Sequence, residues 1–386
     1  RVSSICRRGV RSLLAAVLRP GGVSRKSRRC ASSLLDGRSR ATAPSARRKG
    51  RRSVPDRNEC ATPEAILEVS GLVQSFEQRR GLTDRLTGKP KRVVHAVNGV
   101  SFSVKRGEVF SLVGESGCGK STTARTVVRL LEPKAGSIVF DGEDISRHTP
   151  SQMMHVRRKM QMIFQDPYAS LNPRQRIRDI VMEPMVFHGI VSGRDEAYEK
   201  MYRLLDIVGF RPEQADRYPH QFSGGQRQRI GIARALSTNP AFIVADEPVS
   251  ALDVSIQAQV LNLMMDLRDE FSLSYLFIAH DLSVVRHVTE RLGIMYLGFL
   301  VEQGTCDRIF GQPMHPYTKA LLSAAPTLDR TATAEPLKGD VPSPIHLPPG
   351  CPFANRCPQR MEICTTERPE IREWAGRMVA CHAIGN

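Results

Sequence analysis

The stretch Gly114-Glu-Ser-Gly-Cys-Gly-Lys-Ser121 decides the fold of this chain. It matches the phosphate-loop pattern G-x-x-x-x-G-K-[ST], in which backbone N–H groups curl around phosphate oxygens. The apolar run Glu108–Val113 predicts a buried strand before the loop, and the residues from Lys120 to Pro133 predict a helix after it. A strand, a glycine-rich loop and a helix in this order predict an α/β fold that binds a nucleotide.

The loop residues have separate expected roles. Lys120 would reach the β- and γ-phosphates, and the Ser121 hydroxyl would ligate Mg²⁺. Cys118 is expected to be a small side chain at a tolerant position; the alternative is a reactive thiol whose pKa the helix start lowers. The predicted ATP-binding residues here are Gly114, Glu115, Ser116, Gly117, Cys118, Gly119, Lys120, Ser121 and Thr122.

Two adjacent carboxylates follow a second apolar run, Phe242–Ala245, and a histidine follows a third, Leu276–Ala279. Both runs predict buried parallel strands, whose carboxyl ends form the ligand-binding edge of open α/β folds. We expect Asp246 to hold Mg²⁺ and Glu247 to orient or deprotonate the attacking water. A surface carboxylate that caps the next loop is the alternative for Glu247.

Further short motifs stand in the order in which ATP-binding cassette (ABC) proteins carry them. Phe222-Ser-Gly-Gly-Gln226 resembles the ABC signature, with Phe where Leu is common. Phe242–Pro248 resembles the Walker B strand, and Ser250–Asp253 resembles the D-loop. Gln165 resembles the Q-loop glutamine, and His280 the switch histidine. Together the motifs indicate an ABC ATPase.

This resemblance implies a site shared between two subunits. The implied catalytic residues are Glu247, His280 and Gln165, and the implied Mg²⁺ ligands are Ser121, Gln165 and Asp246. The signature would close over ATP bound to a partner subunit, through a helix N-terminus formed by Ser223, Gly224, Gly225 and Gln226. Phe76 is the candidate for stacking on adenine, with core packing as its alternative role.

Three segments narrow the resemblance to the ATP-binding subunits of oligopeptide/dipeptide importers, a group that includes nickel importers. They are Pro167–Arg174, His315–Leu322 and Gly350–Pro358, and the first resembles the F-type subunit. The resemblance covers about residues 65–386. It implies a heterodimer with a second ATP-binding subunit, two membrane permease subunits and an extracytoplasmic substrate-binding protein. It also implies a peripheral location on the cytoplasmic face of the inner membrane.

Four of the nine cysteines, Cys351, Cys357, Cys364 and Cys381, fall near the end of the sequence. Four thiolates hold either Zn²⁺ or an iron–sulfur cluster, and the spacing lacks the C-x2-C pairs of zinc ribbons. Some members of the importer family carry a [4Fe–4S] cluster on such a tail. We therefore expect a [4Fe–4S] cluster, with zinc and no metal as the alternatives.

The predicted architecture is a P-loop (RecA-like) α/β core with an inserted helical subdomain and a Pro/Cys-rich C-terminal extension. The expected division is a disordered basic leader over residues 1–62, an ABC domain over 63–310 and the extension over 311–386. The helical subdomain would span about 150–240. Because the extension is rich in proline, we expect it to wrap over the surface, and the apolar run Leu292–Val301 predicts one buried strand.

The charge of +17 lies mainly in the leader. Residues 1–60 hold 17 of the 56 Lys and Arg residues but only 3 of the 39 acidic ones. The rest is nearly neutral, so we expect no nucleic-acid partner. The leader reads as a dispensable or mis-assigned extension, a genuine tail or a targeting segment, and these alternatives stay open. No apolar run approaches the roughly 18 residues of a membrane span.

Three function classes remain as alternatives to peptide import. The same ATPase could serve nickel, glutathione or antimicrobial-peptide import, because substrate contacts lie in other subunits. A soluble, non-transport ABC ATPase is a remote alternative, suggested only by the basic leader. A catalytically inactive partner subunit is disfavoured because Lys120, Ser223, Asp246, Glu247 and His280 are all present.

Overall fold

Two β-sheets organise the chain in the computed structural model, which describes residues 65–77, 91–324 and 339–384. The predicted leader at 1–62 lies outside these ranges. The strands of the described part are β1 (Ala65–Glu77), β2 (Val93–Lys105), β3 (Val109–Val113), β4 (Ala135–Phe140), β5 (Glu143–Asp144), β6 (Met160–Ile163), β7 (Phe242–Asp246), β8 (Ser274–Ala279), β9 (Arg291–Tyr296), β10 (Phe299–Thr305), β11 (Arg372–Trp374) and β12 (Arg377–Val379).

Helices connect these strands and cover the larger sheet. In the described part they are α1 (Lys120–Val127), α2 (Met153–Lys159), α3 (Pro167–Ser170), α4 (Ile177–Phe187), α5 (Arg194–Ile207), α6 (Gly224–Leu236), α7 (Val254–Phe271), α8 (Leu282–Val288), α9 (Cys306–Gly311), α10 (Pro316–Ser323) and α11 (Ile363–Thr366). Single 3-10 turns occur at Pro212–Gln214, Pro219–Gln221 and Ala354–Arg356. No helix among the described residues is long and apolar enough to cross a membrane.

The larger sheet has the order β11-β12-β10-β9-β3-β8-β7-β6, and the smaller has the order β2-β1-β4-β5. In the larger sheet β9, β3, β8, β7 and β6 run parallel to one another, whereas β10, β12 and β11 are antiparallel additions. The predictions of buried parallel strands at Phe242–Ala245 and Leu276–Ala279 are confirmed. The α/β P-loop class predicted from the sequence is therefore the observed one.

Alternate residues of the central strands feed two separate apolar cores. In β8, Tyr275 and Phe277 join one core, while Leu276 and Ile278 join the other. This division follows from the two-residue period of a strand. Because both faces are covered, the strand reads as a continuous apolar run in the sequence.

The apolar run Leu292–Val301 is not the single strand that its composition predicts. It forms β9 and β10, which pair antiparallel around a turn at Leu297 and Gly298. Both turn residues have positive φ, 49° and 80°, as the tight turns of two-residue hairpins require. A side chain at Gly298 would also collide with Asn98 of β2, since its Cβ would lie 2.4 Å from the Asn98 Nδ2.

The segment at about 150–240 is mainly helical, but it also contains a sheet strand. Met160–Ile163 form β6, which pairs parallel with β7 at the edge of the larger sheet. Helices α3 to α6 follow it. The strand is short and methionine-rich, which explains why its composition did not distinguish it from a helix.

The described part of the C-terminal segment packs into the core. Tyr317 and Phe353 are fully buried, and β12 pairs with β10 in the larger sheet. The prediction of a tail that wraps over the surface is therefore wrong for these residues. A high proline content indicates irregular backbone, but it does not indicate whether the side chains between the prolines are buried.

Candidate functional site

Four loops meet at the carboxyl edge of the larger sheet. The phosphate loop follows β3, Gln165 follows β6, Asp246 ends β7 and His280 follows β8. These strands are neighbours in the order β3-β8-β7-β6 and run parallel, so their carboxyl ends lie along one edge. Ligands bind at such edges in open α/β sheets.

The phosphate loop wraps around the side chain of Lys120. The Lys120 Nζ donates hydrogen bonds to the carbonyls of Gly114 and Glu115, at 2.7 and 3.0 Å. Gly119 has a φ of 106°, and a Cβ there would lie 2.2 Å from the Ala96 carbonyl oxygen. The loop path therefore requires glycine at this position, and it holds the ammonium group at the start of α1.

Ser121 and Asp246 form a paired oxygen site beside the loop. The Ser121 Oγ donates to the Asp246 Oδ1 at 2.7 Å. Asp246 is fully buried, and its Oδ2 has no hydrogen-bond partner in the described part, with Arg125 3.8 Å away. Burial raises the pKa of Asp246, although the Ser121 bond opposes this. An unpaired buried carboxylate oxygen next to a hydroxyl fits Mg²⁺, which prefers oxygen ligands.

Glu247 lies between the other two predicted catalytic residues. The Gln165 Nε2 donates to the Glu247 Oε2 at 2.8 Å, and the His280 Nδ1 lies 3.3 Å from the same oxygen. Glu247 has a φ of 46°, an unfavourable conformation for a non-glycine residue. Its N–H donates to the Ile278 carbonyl of the neighbouring strand at 3.1 Å, which holds this conformation. The three residues predicted separately from the sequence thus lie in one group, in which Gln165 donates a hydrogen bond to Glu247 and His280 makes an ion-pair contact with it.

The signature residues form the N-terminus of α6. The Ser223 Oγ accepts from the Gln226 N–H at 3.4 Å, and the Gln226 Oε1 accepts from the Ser223 N–H at 3.1 Å. This reciprocal cap leaves Gly224 and Gly225 in the first turn, where a Cβ on Gly225 would lie 2.3 Å from Ile256. Among the described residues, no hydrogen bond joins this cap to the phosphate loop of the same chain.

Two predicted ATP contacts stay predictions. Phe76 lies near the end of β1, opposite Val94 of β2, and is 39 % exposed. Thr122 lies in the first turn of α1. The reactive-thiol alternative for Cys118 is not supported, because the thiol is buried and burial raises its pKa.

Two residues of the C-terminal segment make hydrogen bonds to Glu115 of the phosphate loop. The sequence alone indicated no role for either of them. The Arg356 guanidinium donates to both Glu115 carboxylate oxygens, at 2.8 and 3.1 Å. The Glu115 N–H donates to the Tyr317 Oη at 2.9 Å. Arg356 lies within Gly350–Pro358 and Tyr317 within His315–Leu322, the segments that carried the family resemblance. That resemblance was the available signal, but it did not indicate contact with the loop.

The four C-terminal cysteines are unpaired thiols. The Cys351 N–H donates to the Cys364 carbonyl at 2.9 Å. Burial raises the pKa of the Cys351 thiol to about 11, and the other three thiols add to this rise. Within the described residues no group of three or more His, Cys, Asp or Glu side chains could hold a metal ion. The expected [4Fe–4S] cluster therefore gains no support from this arrangement.

Comparison with protein families gives two matches, in separate parts of the chain. Residues 97–250 match the family described as ABC transporter. Residues 301–364 match the family described as oligopeptide/dipeptide transporter, C-terminal region. The first range contains the phosphate loop, Gln165, the signature and the Walker B carboxylates, whereas the second contains Tyr317 and Arg356.

Curated relatives align over nearly their whole length. The chain is 52 % identical over 328 residues to the oligopeptide transport ATP-binding protein AppF of Bacillus subtilis, an alignment that covers 83 % of this chain and 98 % of that protein. It is 46 % identical over 328 residues to the dipeptide transport ATP-binding protein DppF of Escherichia coli, covering 84 % of this chain and 96 % of that protein.

Solved structures of cassettes share the fold. The post-hydrolysis dimer of the ATP-binding cassette MJ0796, bound to ADP and Pi, matches with a TM-score of 0.55 and 26 % identity. This match covers 62 % of this chain and 99 % of that one. With the phosphate loop, the buried carboxylate and the hydrogen-bonded Glu247 in place, the chain is an ABC-type ATPase that belongs to the oligopeptide and dipeptide transport ATP-binding proteins.

Proposed function

We propose that this chain hydrolyses ATP to power the import of dipeptides or oligopeptides through a membrane permease. The observation that carries the ATPase part is the placement of Glu247, held by Gln165 and His280, on the same sheet edge as the phosphate loop. The peptide part is supported by AppF and DppF, an oligopeptide and a dipeptide transport ATP-binding protein, which the chain matches over almost their full length.

In the proposed mechanism Lys120 binds the β- and γ-phosphates, exchanging its bonds to the loop carbonyls for phosphate oxygens. Ser121, Gln165 and Asp246 would hold Mg²⁺, which supplies charge stabilisation at the phosphates. Glu247 orients a water molecule and accepts its proton while the water oxygen attacks the γ-phosphorus. The bond to the β-phosphate oxygen breaks, giving ADP and phosphate. Gln165 and His280 keep the Glu247 carboxylate in position.

The assembly is also part of the proposal. Ser223, Gly224, Gly225 and Gln226 would close over ATP on a second ATP-binding subunit, because their N–H groups start a helix and lie apart from this chain's own loop. The dimeric cassette MJ0796 supports a paired arrangement. Two permease subunits, an extracytoplasmic substrate-binding protein and a place on the cytoplasmic membrane face complete it. The division at residue 310 separates the motifs that bind ATP, in residues 63–310, from the segment 311–386, whose described residues pack into the same core.

The transport test is uptake of labelled dipeptide, oligopeptide and nickel in a strain that lacks the gene. Complementation uses wild type, Glu247→Gln or the matched control Glu199→Gln, which removes only an exposed α5 ion pair with Arg203. We expect wild type and the control to restore peptide uptake, and Glu247→Gln to lower ATP hydrolysis by at least about 10²-fold. Restoration of nickel uptake alone would contradict the peptide assignment. Uptake restored by Glu247→Gln would contradict its catalytic role.

We further propose that Cys351, Cys357, Cys364 and Cys381 bind a [4Fe–4S] cluster. The proposal rests on four unpaired thiols close enough to affect one another's pKa. Their arrangement in the described residues favours neither zinc nor a cluster, so metal analysis must decide. Anaerobic purification followed by iron and sulfide analysis tests it. Cys351→Ser should lower the iron content, whereas Cys306→Ser, outside the group, should not. Less than about one iron per chain in the wild type would contradict the cluster.

A further inference from the structure

The C-terminal segment holds Glu115 of the phosphate loop at both its backbone and its side chain. Tyr317 accepts the Glu115 N–H, and Arg356 binds the carboxylate with two hydrogen bonds, across 241 residues of sequence. The Arg356 side chain is only 6 % exposed, and Tyr317 is fully buried. A two-pronged, largely buried ion pair of this kind fixes geometry as well as charge.

Aromatic packing keeps these two residues in place. The Tyr317 ring lies 4.7 Å from the Tyr296 ring and 5.4 Å from Phe353, measured between centroids. Arg356 also donates to the Tyr296 Oη at 3.4 Å. Tyr296 ends β9, which pairs with β3, the strand that leads into the phosphate loop. The C-terminal contact is therefore anchored on the sheet that carries the site.

The ion pair between Arg356 and Glu115 bears on ATP binding because Glu115 carries a negative charge. Glu115 is the acidic residue of the loop from Gly114 to Thr122, and its own carbonyl accepts a hydrogen bond from Lys120. An uncompensated carboxylate on the loop that binds the phosphates of ATP would repel them, most strongly where water is excluded. The Arg356 guanidinium cancels that charge.

We propose that Arg356 is a positioning residue for ATP binding, which neutralises Glu115 and so allows the phosphate loop to accept a polyphosphate. This inference rests on the proposed ATP site. It predicts an effect on ATP affinity and on KM, with little effect on kcat, since Arg356 contacts the loop and not Glu247.

The test measures ATP binding with Mg²⁺ by calorimetry on the full-length chain, and KM and kcat for the assembled transporter. Arg356→Met keeps the packing of the stem and removes the charge. We expect ATP affinity to fall about tenfold, which corresponds to about 1.4 kcal/mol, with kcat changed less than about twofold. Arg356→Lys should lie between this variant and wild type, because lysine keeps the charge and loses the two-pronged geometry.

The double variant Glu115→Gln/Arg356→Met separates charge balance from packing. It should recover most of the lost affinity, because no unpaired carboxylate remains. The matched control is Arg372→Ala, which removes an exposed ion pair with Glu370 in the same segment and should bind ATP as wild type does. If Arg356→Met does not fold, Glu115→Gln alone is compared with the double variant, and the two must bind ATP with equal affinity.

Three results would overturn the inference. Unchanged affinity in Arg356→Met would show that the charge is not needed. Equal losses in the single and double variants, with equal drops in Tm, would show that Arg356 only packs. Lys120→Ala tests the underlying site. If this variant binds ATP as wild type does, the proposed ATP site is wrong as well. If ATP affinity falls in Lys120→Ala but not in Arg356→Met, only the role of Arg356 is overturned.

Discussion

At the scale of the residue, Asp246 places a carboxyl group where water does not reach. Because burial raises its pKa above 3.8, ionisation costs more in the folded chain than in the unfolded one. The contribution of this group to stability is therefore fully present at low pH and is lost as the pH rises through its raised pKa. A cation at the unpaired Oδ2 would offset that cost.

Asp246→Asn should remove the Mg²⁺-dependent part of ATP binding. We expect Mg²⁺ to raise the Tm of the wild-type chain in the presence of ATP, because a ligand that binds only the folded state stabilises it. The variant should show the same Tm with and without Mg²⁺, and it should not hydrolyse ATP. Thermal shift assays at fixed ATP measure this. Asp269→Asn, at an exposed ion pair with Arg268, is the control, and a Mg²⁺ response retained in Asp246→Asn would contradict the assignment.

The sequence predicted the site residues that belong to short motifs. Gln165, Glu247 and His280 come from different motifs, and their contacts follow from the order of the parallel strands that precede them. The contact of Arg356 with the phosphate loop could not be predicted in this way. Its partner lies 241 residues earlier, and neither residue belongs to a pattern whose spacing indicates the other.

At the scale of the element, helix α10 begins with a buried histidine. The His315 Nδ1 accepts the Tyr317 N–H at 3.0 Å and so caps the helix that carries Tyr317. Burial lowers the pKa of His315 to about 3, although a hydrogen bond to the Ala380 backbone opposes this. The folded chain thus requires a neutral ring. The stability that this provides is present above the usual pKa of 6.5 and is lost as the pH falls towards 3.

His315→Asn should flatten the acid branch of the stability profile. Asparagine keeps an acceptor at the N-cap and does not titrate. From about pH 6.5 downward, wild type should lose up to about 1.4 kcal/mol per pH unit from this histidine, and the variant should not. Chemical denaturation between about pH 7.5 and pH 5 measures the two slopes. The exposed His346→Asn should keep the wild-type slope, and parallel profiles for wild type and His315→Asn would contradict the prediction.

The strands were predicted correctly where one buried strand gives one continuous apolar run. The prediction failed where a single apolar run contains a turn between two strands. β7 and β8 are such runs, and the structure places both in the parallel sheet. The hairpin of β9 and β10 is apolar through its turn, because Leu297 is itself buried. Hydrophobicity alone therefore did not indicate that the chain reverses direction at Leu297 and Gly298.

At the scale of the whole molecule, the described C-terminal residues belong to the same sheet and core as the phosphate loop. β12 pairs with β10, and the Ala380 N–H donates to the Val301 carbonyl at 2.9 Å. Phe353 packs on Tyr296 and Tyr317. The segment is part of the ATPase fold, which its proline-rich sequence did not predict.

Two truncations should therefore behave differently. Removal of residues 339–386 deletes Phe353, Arg356 and β12, and we expect loss of a cooperative unfolding transition because a fully buried aromatic residue alone contributes about 3–5 kcal/mol. Removal of residues 1–62 deletes none of the predicted site residues, so ATP affinity should stay within about twofold of wild type. Circular dichroism melts and ATP titrations measure both. A C-terminal truncation with unchanged Tm would contradict the prediction.

The bond between Glu115 and Arg356 also has a consequence for how the protein is made. Domains fold from the N-terminal side during synthesis, so β3 and the phosphate loop leave the ribosome long before Arg356 is translated. Throughout that interval Glu115 lacks its guanidinium partner. The nascent chain thus reaches its nucleotide-ready form only late in translation, and products of premature termination before Arg356 would bind ATP more weakly than finished molecules.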